Sequence, residues 1–269
     1  MPSPASFRCV AGSASCARGA NRLTAGSAAA THRSIRPENP ERSMPSVIQR
    51  LHVDAIEVGT PWPDLADDEV HLWLEQLAPS ASAREVSAFG RQRLGQLLRH
   101  YSGIDAEPAL MHNEHGKPQP GIDRYPRFNI SHAGPMLALG FARSTEIGVD
   151  IENAQRSMRS HELAARFFTS AEAEQLAQLA EPLRVLGFMR LWTCKEAVLK
   201  AIGRGLSFGL DRLAFDINAD AWPHSLLHIA DEAGPASEWQ LHQFEADAAH
   251  VGSLAWRGSP RRIRVLRKL

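Results

Sequence analysis

Cysteine and lysine are scarce in this chain, and net charge is absent. The cysteines are Cys9, Cys16 and Cys194. An odd, scattered set provides no disulfide framework and fits a reducing compartment, so a cytoplasmic protein is expected. No apolar run approaches the roughly 20 residues that a membrane helix needs, so no membrane partner is expected. The 30 Lys and Arg are matched by 30 Asp and Glu. A neutral chain has no global attraction for nucleic acid, and any basic site must be local. What the chain does have is apolar material. With 43% of its 269 residues hydrophobic, it can bury a sizeable core as one large domain or two small ones.

The shortage of lysine is informative. Lys117, Lys195, Lys200 and Lys268 are the only lysines; every other basic position is arginine. A lysine in such a chain marks a place where a compact ammonium suits the site better than a planar fork. Lys268, in the terminal run from Arg261 to Leu269, reads as a solvated charge. The other three fall inside motifs.

Residues 1–43 are rich in Ala, Ser, Gly and Arg, with Glu38 and Glu41 as their only acids. They carry no apolar periodicity and read as disordered. The same composition suits an organelle transit peptide. Translation from a start upstream of the true one is the favoured reading, because Met44 is followed at once by an ordered-looking sequence.

From residue 46 the pattern is globular. Val47 to Val58 reads as a first strand. Asp67 to Gln76 reads as a helix, with Val70, Leu74 and Leu77 at i, i+4 and i+7. Arg84 to His100 reads as a second helix. Residues 113–126, punctuated by glycine and proline, read as a loop. Met136 to Ala142 and Ile147 to Glu152 read as a hairpin. Ser157 to Phe168 reads as helical. Thr169, with Glu172 three residues on, has the spacing of a capping box opening the next helix. Leu183 to Ile202 reads as a long helix stopped at Gly203. Leu213 to Ile217, Ser225 to Ile229, Trp239 to Phe244 and His250 to Trp256 read as closing strands. Helices and antiparallel strands in two stretches of similar length predict an α+β fold built as two related halves. The halves are expected at residues 46–146 and 147–258, followed by a basic tail at 259–269.

Four motifs carry chemistry. Asp150 and Glu152, at the end of a strand, project from one face while Ile151 faces the core. Two adjacent carboxylates repel unless a cation sits between them, and hard oxygen ligands suit Mg²⁺. Alone, that spacing is more often a solvated strand edge. On the long helix, Trp192, Glu196 and Lys200 form one stripe at i, i+4 and i+8. Lys195 adds a second cation beside Glu196, and Cys194 reads as packing. Asn129-Ile-Ser-His132 offers Ser131 and His132 to phosphate oxygens, although alone it could be an ordinary turn. Gly116-Lys117-Pro118 pairs a close backbone approach with a phosphate partner.

Together, in chain order, Gly116-Lys117-Pro118, Phe128-Asn-Ile-Ser-His132, Gly148-Val-Asp-Ile-Glu152, Phe167-Phe-Thr-Ser-Ala-Glu172 and Trp192-Thr-Cys-Lys-Glu-Ala-Val-Leu-Lys200 resemble the 4'-phosphopantetheinyl transferases of the surfactin-synthetase-activating type. The resemblance covers about residues 47–256. It implies two pseudo-twofold-related halves, each an antiparallel sheet with packed helices, in a monomer that is an internal pseudo-dimer. Coenzyme A would lie in the cleft between the halves. Asp150, Glu152 and Glu196 would hold Mg²⁺. Lys117 and Pro118 would lie by the adenine, Ser131 and His132 on the phosphates, and Lys195 and Lys200 on the pyrophosphate. Of Arg84, Arg91 and Arg93, Arg91 is preferred for the 3'-phosphate. The implied reaction moves phosphopantetheine to a serine of a carrier protein, with Glu196 as base and Lys200 as acid. A metal-dependent phosphodiesterase or nuclease, or a non-catalytic coenzyme A or carrier-binding module, are the other readings.

Overall fold

The computed structural model describes residues 45–53, 57–58 and 62–267. The readings of residues 1–43 and of Lys268 lie outside them. In chain order the strands are β1 (Ser46–Val47), β2 (Gln49–Leu51), β3 (Glu57–Val58) and β4 (Glu69–Gln76). Helix α1 (Ala83–Ser102) is followed by β5 (Leu110–His112), β6 (Pro118–Pro120), β7 (Arg127–Ala133), β8 (Met136–Ala142) and β9 (Ile147–Asn153). Then come α2 (Ser160–Phe167), α3 (Ser170–Ala177) and α4 (Leu183–Ile202). The chain closes with β10 (Leu213–Ile217), β11 (Pro223–Ile229), β12 (Trp239–Glu245), β13 (His250–Arg257) and β14 (Arg262–Arg267). No helix among the described residues is long and apolar enough to cross a membrane.

The α+β fold is organised in layers. One sheet runs β3-β14-β4-β8-β7 and a second runs β2-β12-β13-β9. Val70, Leu72, Leu74 and Ala138 of the first meet Val149, Ile151, Leu254 and Trp256 of the second in a shared core. On the far side of the first sheet, Leu94, Leu97, Leu98 and Tyr101 of α1 cover Trp73, Phe128, Leu139 and Phe141. On the far side of the second, α4 packs Leu191, Cys194, Val198 and Leu199 into a core with Leu241, Val251 and Ala255. A third sheet, β1-β11-β10, flanks α4. Each half is thus a sheet with a 20-residue helix on its outer face.

The halves exchange their ends. Strand β2 pairs parallel to β12 in the second sheet, and β14 pairs parallel to β4 in the first. Residues 262–267 therefore do not form a basic tail: they are a strand with Val265 and Leu266 buried. Strand pairing crosses the boundaries expected from sequence, and these parallel ends modify the antiparallel plan.

Three further corrections follow from tertiary context. The segment expected as a helix around Val70 and Leu74 is β4, buried along nearly its whole length between β14 and β8. Its even residues Val70, Leu72 and Leu74 face the inter-sheet core while Trp73 faces α1. A strand buried on both faces has a continuous apolar run that mimics helical spacing. The loop expected over 113–126 contains β6, which pairs with β5 as a hairpin. Finally, β8 and β9 do not pair: β8 lies between β4 and β7, and β9 lies against β13. The turn between them carries the chain from one sheet to the other.

Local signals elsewhere match the structure. Thr169 caps α3, its side chain accepting from the Glu172 amide while the Glu172 carboxylate accepts from the Thr169 amide at 2.9 Å. Helix α4 ends at Gly203, which is left-handed at φ 82°.

Burial also sets a pH dependence. His242 on β12 is stacked on Trp256 at 5.0 Å, and burial pushes its pKa down to about 4. In the unfolded chain it protonates near its ordinary value of 6.5. Its contribution to stability is therefore complete above pH 6.5 and is lost as pH falls towards 4. Urea unfolding is expected to show a loss of about 3 kcal/mol across that window that His242→Phe removes. An unchanged slope in the variant would place the acid sensitivity elsewhere.

Candidate active site

The site forms where β9 meets α4. Among the described residues β9 is an edge strand, paired with β13 alone. Gly148 brings it down onto the helix, since a methyl group there would overlap the Ala197 carbonyl. That close approach, and no requirement for unusual backbone angles, explains the glycine. Strand alternation then turns Asp150 and Glu152 to the same face as Gly148, towards α4.

The free edge of β9 is satisfied by side chains from other elements. The Val149 amide donates to Asn129 Oδ1 of β7 at 2.9 Å. The Val149 carbonyl accepts from Lys200 Nζ at 3.2 Å. Lys200 Nζ also donates to Asp150 Oδ1 at 2.6 Å and to Ser131 Oγ at 2.9 Å. Ser131 Oγ donates to Asp150 Oδ1 at 2.9 Å. Asn129 and Ser131 point the same way from β7, so one strand supplies both the bridge between the sheets and a site hydroxyl.

The charges at this junction do not balance. Three carboxylates, Asp150, Glu152 and Glu196, face one ammonium, Lys200. Burial, then the charge of Asp150, push Glu196 up to about 7. Burial, then Asp150, also push Glu152 up to about 7, with Lys200 and Arg156 opposing and Glu196 adding to it. For Lys200, burial works towards a lower pKa, but Asp150, Glu196 and Glu152 outweigh it and hold the ammonium above its usual range. Asp150 Oδ2 is buried, with no hydrogen-bond partner among the described residues. Paired hard oxygens, one unsatisfied and two reluctant to ionise together, form a donor set that fits a divalent cation. In the arrangement described, Lys200 sits on Asp150, and no three His, Cys, Asp or Glu side chains among the described residues are gathered closely enough to ligate a metal.

Comparison with known proteins gives this constellation a family. The family model of the 4'-phosphopantetheinyl transferase superfamily matches residues 146–255. The 4'-phosphopantetheinyl transferase HetI of Nostoc sp. is 31% identical over 172 residues, covering 53% of this chain and 72% of HetI. The chain belongs to the 4'-phosphopantetheinyl transferase superfamily. The 4'-phosphopantetheinyl transferase psf-1 of Bacillus pumilus is 28% identical over 187 residues, 64% of this chain and 78% of psf-1. A Synechocystis relative is 33% identical over 148 residues. The chain spans only about half of that relative's length, 55%.

Within the transferase family motifs, the structure separates residues at the junction from residues that build the fold. Asp150, Ser131 and Lys200 are in direct contact, and Glu152 and Glu196 are electrostatically joined to them. His132 is exposed on the next position of β7, and local desolvation, then the Lys200 charge, lower its pKa. Trp192 packs against Phe167, Phe168 and Phe188, so the paired phenylalanines of the Phe167–Glu172 motif serve the core behind α4. Pro118 begins β6, partly buried. Cys194 is fully buried, its thiol pushed up to about 12 chiefly by burial, as expected of a packing residue.

Lys195 must be reassigned. Consecutive helix residues point about 100° apart, so Lys195 leaves α4 on a different side from Glu196. Its ammonium is fully buried against Glu172 at 2.8 Å and donates to the Leu210 and Leu213 carbonyls at 2.8 and 2.6 Å. Glu172 in turn accepts from the Phe215 amide at 2.8 Å. This pair fastens α3 and β10 to α4, with the ammonium fully enclosed by protein partners. Removing one partner would strand a buried charge, which costs about 3–5 kcal/mol. Lys195→Met is expected to lower unfolding free energy by that amount, while Lys195→Met with Glu172→Gln recovers part of it; chemical denaturation of the three proteins decides.

Among the arginines, Arg93 is also structural. It is buried, ion-paired with Glu75 and placed over the Trp62 and Phe89 rings. Arg91 is exposed and donates to Ser87 Oγ, one turn back, at 3.2 Å. Arg84 is exposed at the start of α1.

What sequence reasoning missed at this site is the role of Asn129. In sequence it is one member of a tetrad; in the structure its carboxamide joins β7 to β9. Its signal was its place two residues before Ser131, hence on the same strand face.

Proposed function

We propose that the protein transfers the 4'-phosphopantetheine arm of coenzyme A to a serine hydroxyl of an apo carrier protein, releasing adenosine 3',5'-bisphosphate. The observation that carries this reading is the junction of Lys200, Asp150 and Ser131, flanked by Glu152 and Glu196, in a chain of this family. Phosphoryl transfer depends mainly on positioning and on neutralising charge at the transferring phosphate.

In this reading Asp150, Glu152 and Glu196 hold Mg²⁺, which fits their excess of negative charge and the unpartnered Asp150 Oδ2. A bound Mg²⁺ supplies charge neutralisation at the pyrophosphate. The serine oxygen forms a bond to the β-phosphorus, and the bond from that phosphorus to the bridging oxygen breaks. Glu196 takes the serine proton. Lys200 gives a proton to the departing phosphate and stabilises its charge. Ser131 and His132 bind phosphate oxygens. Arg91 is assigned to the 3'-phosphate, which its exposure on α1 permits. Pro118 lies by the adenine. The protein is expected to work in the cytoplasm as a monomer.

The test is incubation of the protein with coenzyme A, MgCl₂ and a panel of apo carrier proteins from fatty-acid, polyketide and peptide synthesis, followed by intact mass. A gain of one phosphopantetheine on a carrier serine is expected. Binding of coenzyme A with no gain on any carrier would leave a binding module, and phosphodiester cleavage without a carrier would mark a hydrolase.

A further inference from the structure

Lys117 was expected by the adenine, but its ammonium is engaged elsewhere. It is buried, and Nζ donates to Glu146 Oε2 at 2.6 Å, to the Ala201 carbonyl at 3.3 Å and to the Ile147 carbonyl at 3.4 Å. These three partners belong to the start of β9, the turn before it, and the last turn of α4. Ala201 is the residue after Lys200, and its carbonyl is one of those a helix end leaves without an intrahelical donor. A cation is favoured at that end of the helix.

The same turn makes a second attachment. Asn113 Nδ2 donates to the Gly203 carbonyl, just past α4, at 2.7 Å. Asn113 Oδ1 accepts from the amides of His115 and Lys117 at 3.0 and 2.8 Å, which fixes the turn itself. Gly203 leaves little room here, since a Cβ would meet Asn113 Nδ2 at 2.9 Å.

We propose that the Asn113–Lys117 turn is a clasp that sets the end of α4 against the start of β9, with Lys117 a positioning residue for Lys200 rather than a ligand of the adenine. Asp150 is carried by β9 and Lys200 by the last turn of α4. The clasp joins those two elements directly, one residue beyond Lys200. The 2.6 Å contact between Lys200 and Asp150 is therefore held by a hairpin that itself contributes no group to it. The kinetic part of this inference rests on the transferase reading; the structural part does not.

The experiment has two arms, each run on the full chain with Lys117→Met and Asn113→Asp. Asn113→Asp keeps the Oδ1 acceptor, loses the donor to Gly203 and sets a negative charge at a helix C-terminus, so it tests the clasp even where Lys117→Met folds poorly. In the first arm, amide hydrogen exchange is followed without ligand. Residues 200–203 and 147–149 are expected to exchange about tenfold faster in both variants. Unchanged protection there would overturn the clasp. In the second arm, transfer is measured with coenzyme A and with an analogue lacking the adenine ring. A clasp predicts that kcat falls about tenfold or more on both substrates, with KM for coenzyme A within about twofold. A rise in KM for coenzyme A alone, with kcat kept, would return Lys117 to the adenine and overturn the proposal. If the wild-type protein transfers nothing, the activity assignment falls and the exchange arm still decides the clasp.

Discussion

Asp150→Asn is expected to reduce carrier modification by about 10²- to 10³-fold with the fold intact. The amide has the same shape and its oxygen can still accept from Lys200 Nζ and Ser131 Oγ, whose present distances are 2.6 and 2.9 Å. What disappears is the charge. Asp150 raises the pKa of Glu152, Glu196 and Lys200 together, so it is the group through which the junction is coupled. Its buried Oδ2 is the oxygen left without a partner, and in the variant that position becomes an amide donor pointing where a cation should be. Losing one preorganised electrostatic group at the reacting charge is typically worth 10²–10³ in rate. Transfer rates at saturating coenzyme A and Mg²⁺, alongside circular dichroism, test this. Turnover near wild type would remove Asp150 from the metal and the chemistry alike.

Lys200→Arg is expected to lower kcat by at least about tenfold with a smaller change in KM for coenzyme A. If only positive charge mattered, arginine would serve. The ammonium, however, donates to three different oxygens, on Asp150, Ser131 and Val149. An ammonium can aim three donors at such a cluster; a planar guanidinium aims its donors within one plane and needs more room. Arginine is also a poor proton donor, with a pKa above 12, and general acid catalysis is typically worth about 10²- to 10⁴-fold. In the protein as described, carboxylates hold Lys200 firmly charged. Once their charge is neutralised, burial alone remains, and it acts towards a readier donor. A fall in kcat marks a transition-state role. A raised KM with kcat spared would make Lys200 a phosphate anchor, with the proton coming from water.

The sequence is a sufficient guide to structure where the physics is local. The capping box at Thr169 and Glu172 and the stop at Gly203 involve neighbours within four residues, and both are present. Asp150, Ser131 and Lys200, drawn from three different motifs, are in contact although 19 and 50 residues separate Asp150 from the other two. Periodicity failed at β4, where burial from both sides erases the alternation that identifies a strand. It failed again at β8 and β9, whose short connection looks like a hairpin turn but leads from one sheet into the facing one.

The lysines show most clearly what each level of information decided. Sequence alone determined that Lys117, Lys195 and Lys200 are exceptional in an arginine-rich chain, and strand and helix periodicity alone put Asp150 with Glu152 and Glu196 with Lys200. Tertiary structure decided what each lysine does. Lys195 is buried with Glu172, Lys117 is fastened to the end of α4, and Lys200 faces Asp150. The reason is that an ammonium's role depends on which distant carboxylates and carbonyls surround it. Those partners come from β9, α3, the Glu146 turn and the segment leading into β10, and only the packing of α4 against them brings them within reach.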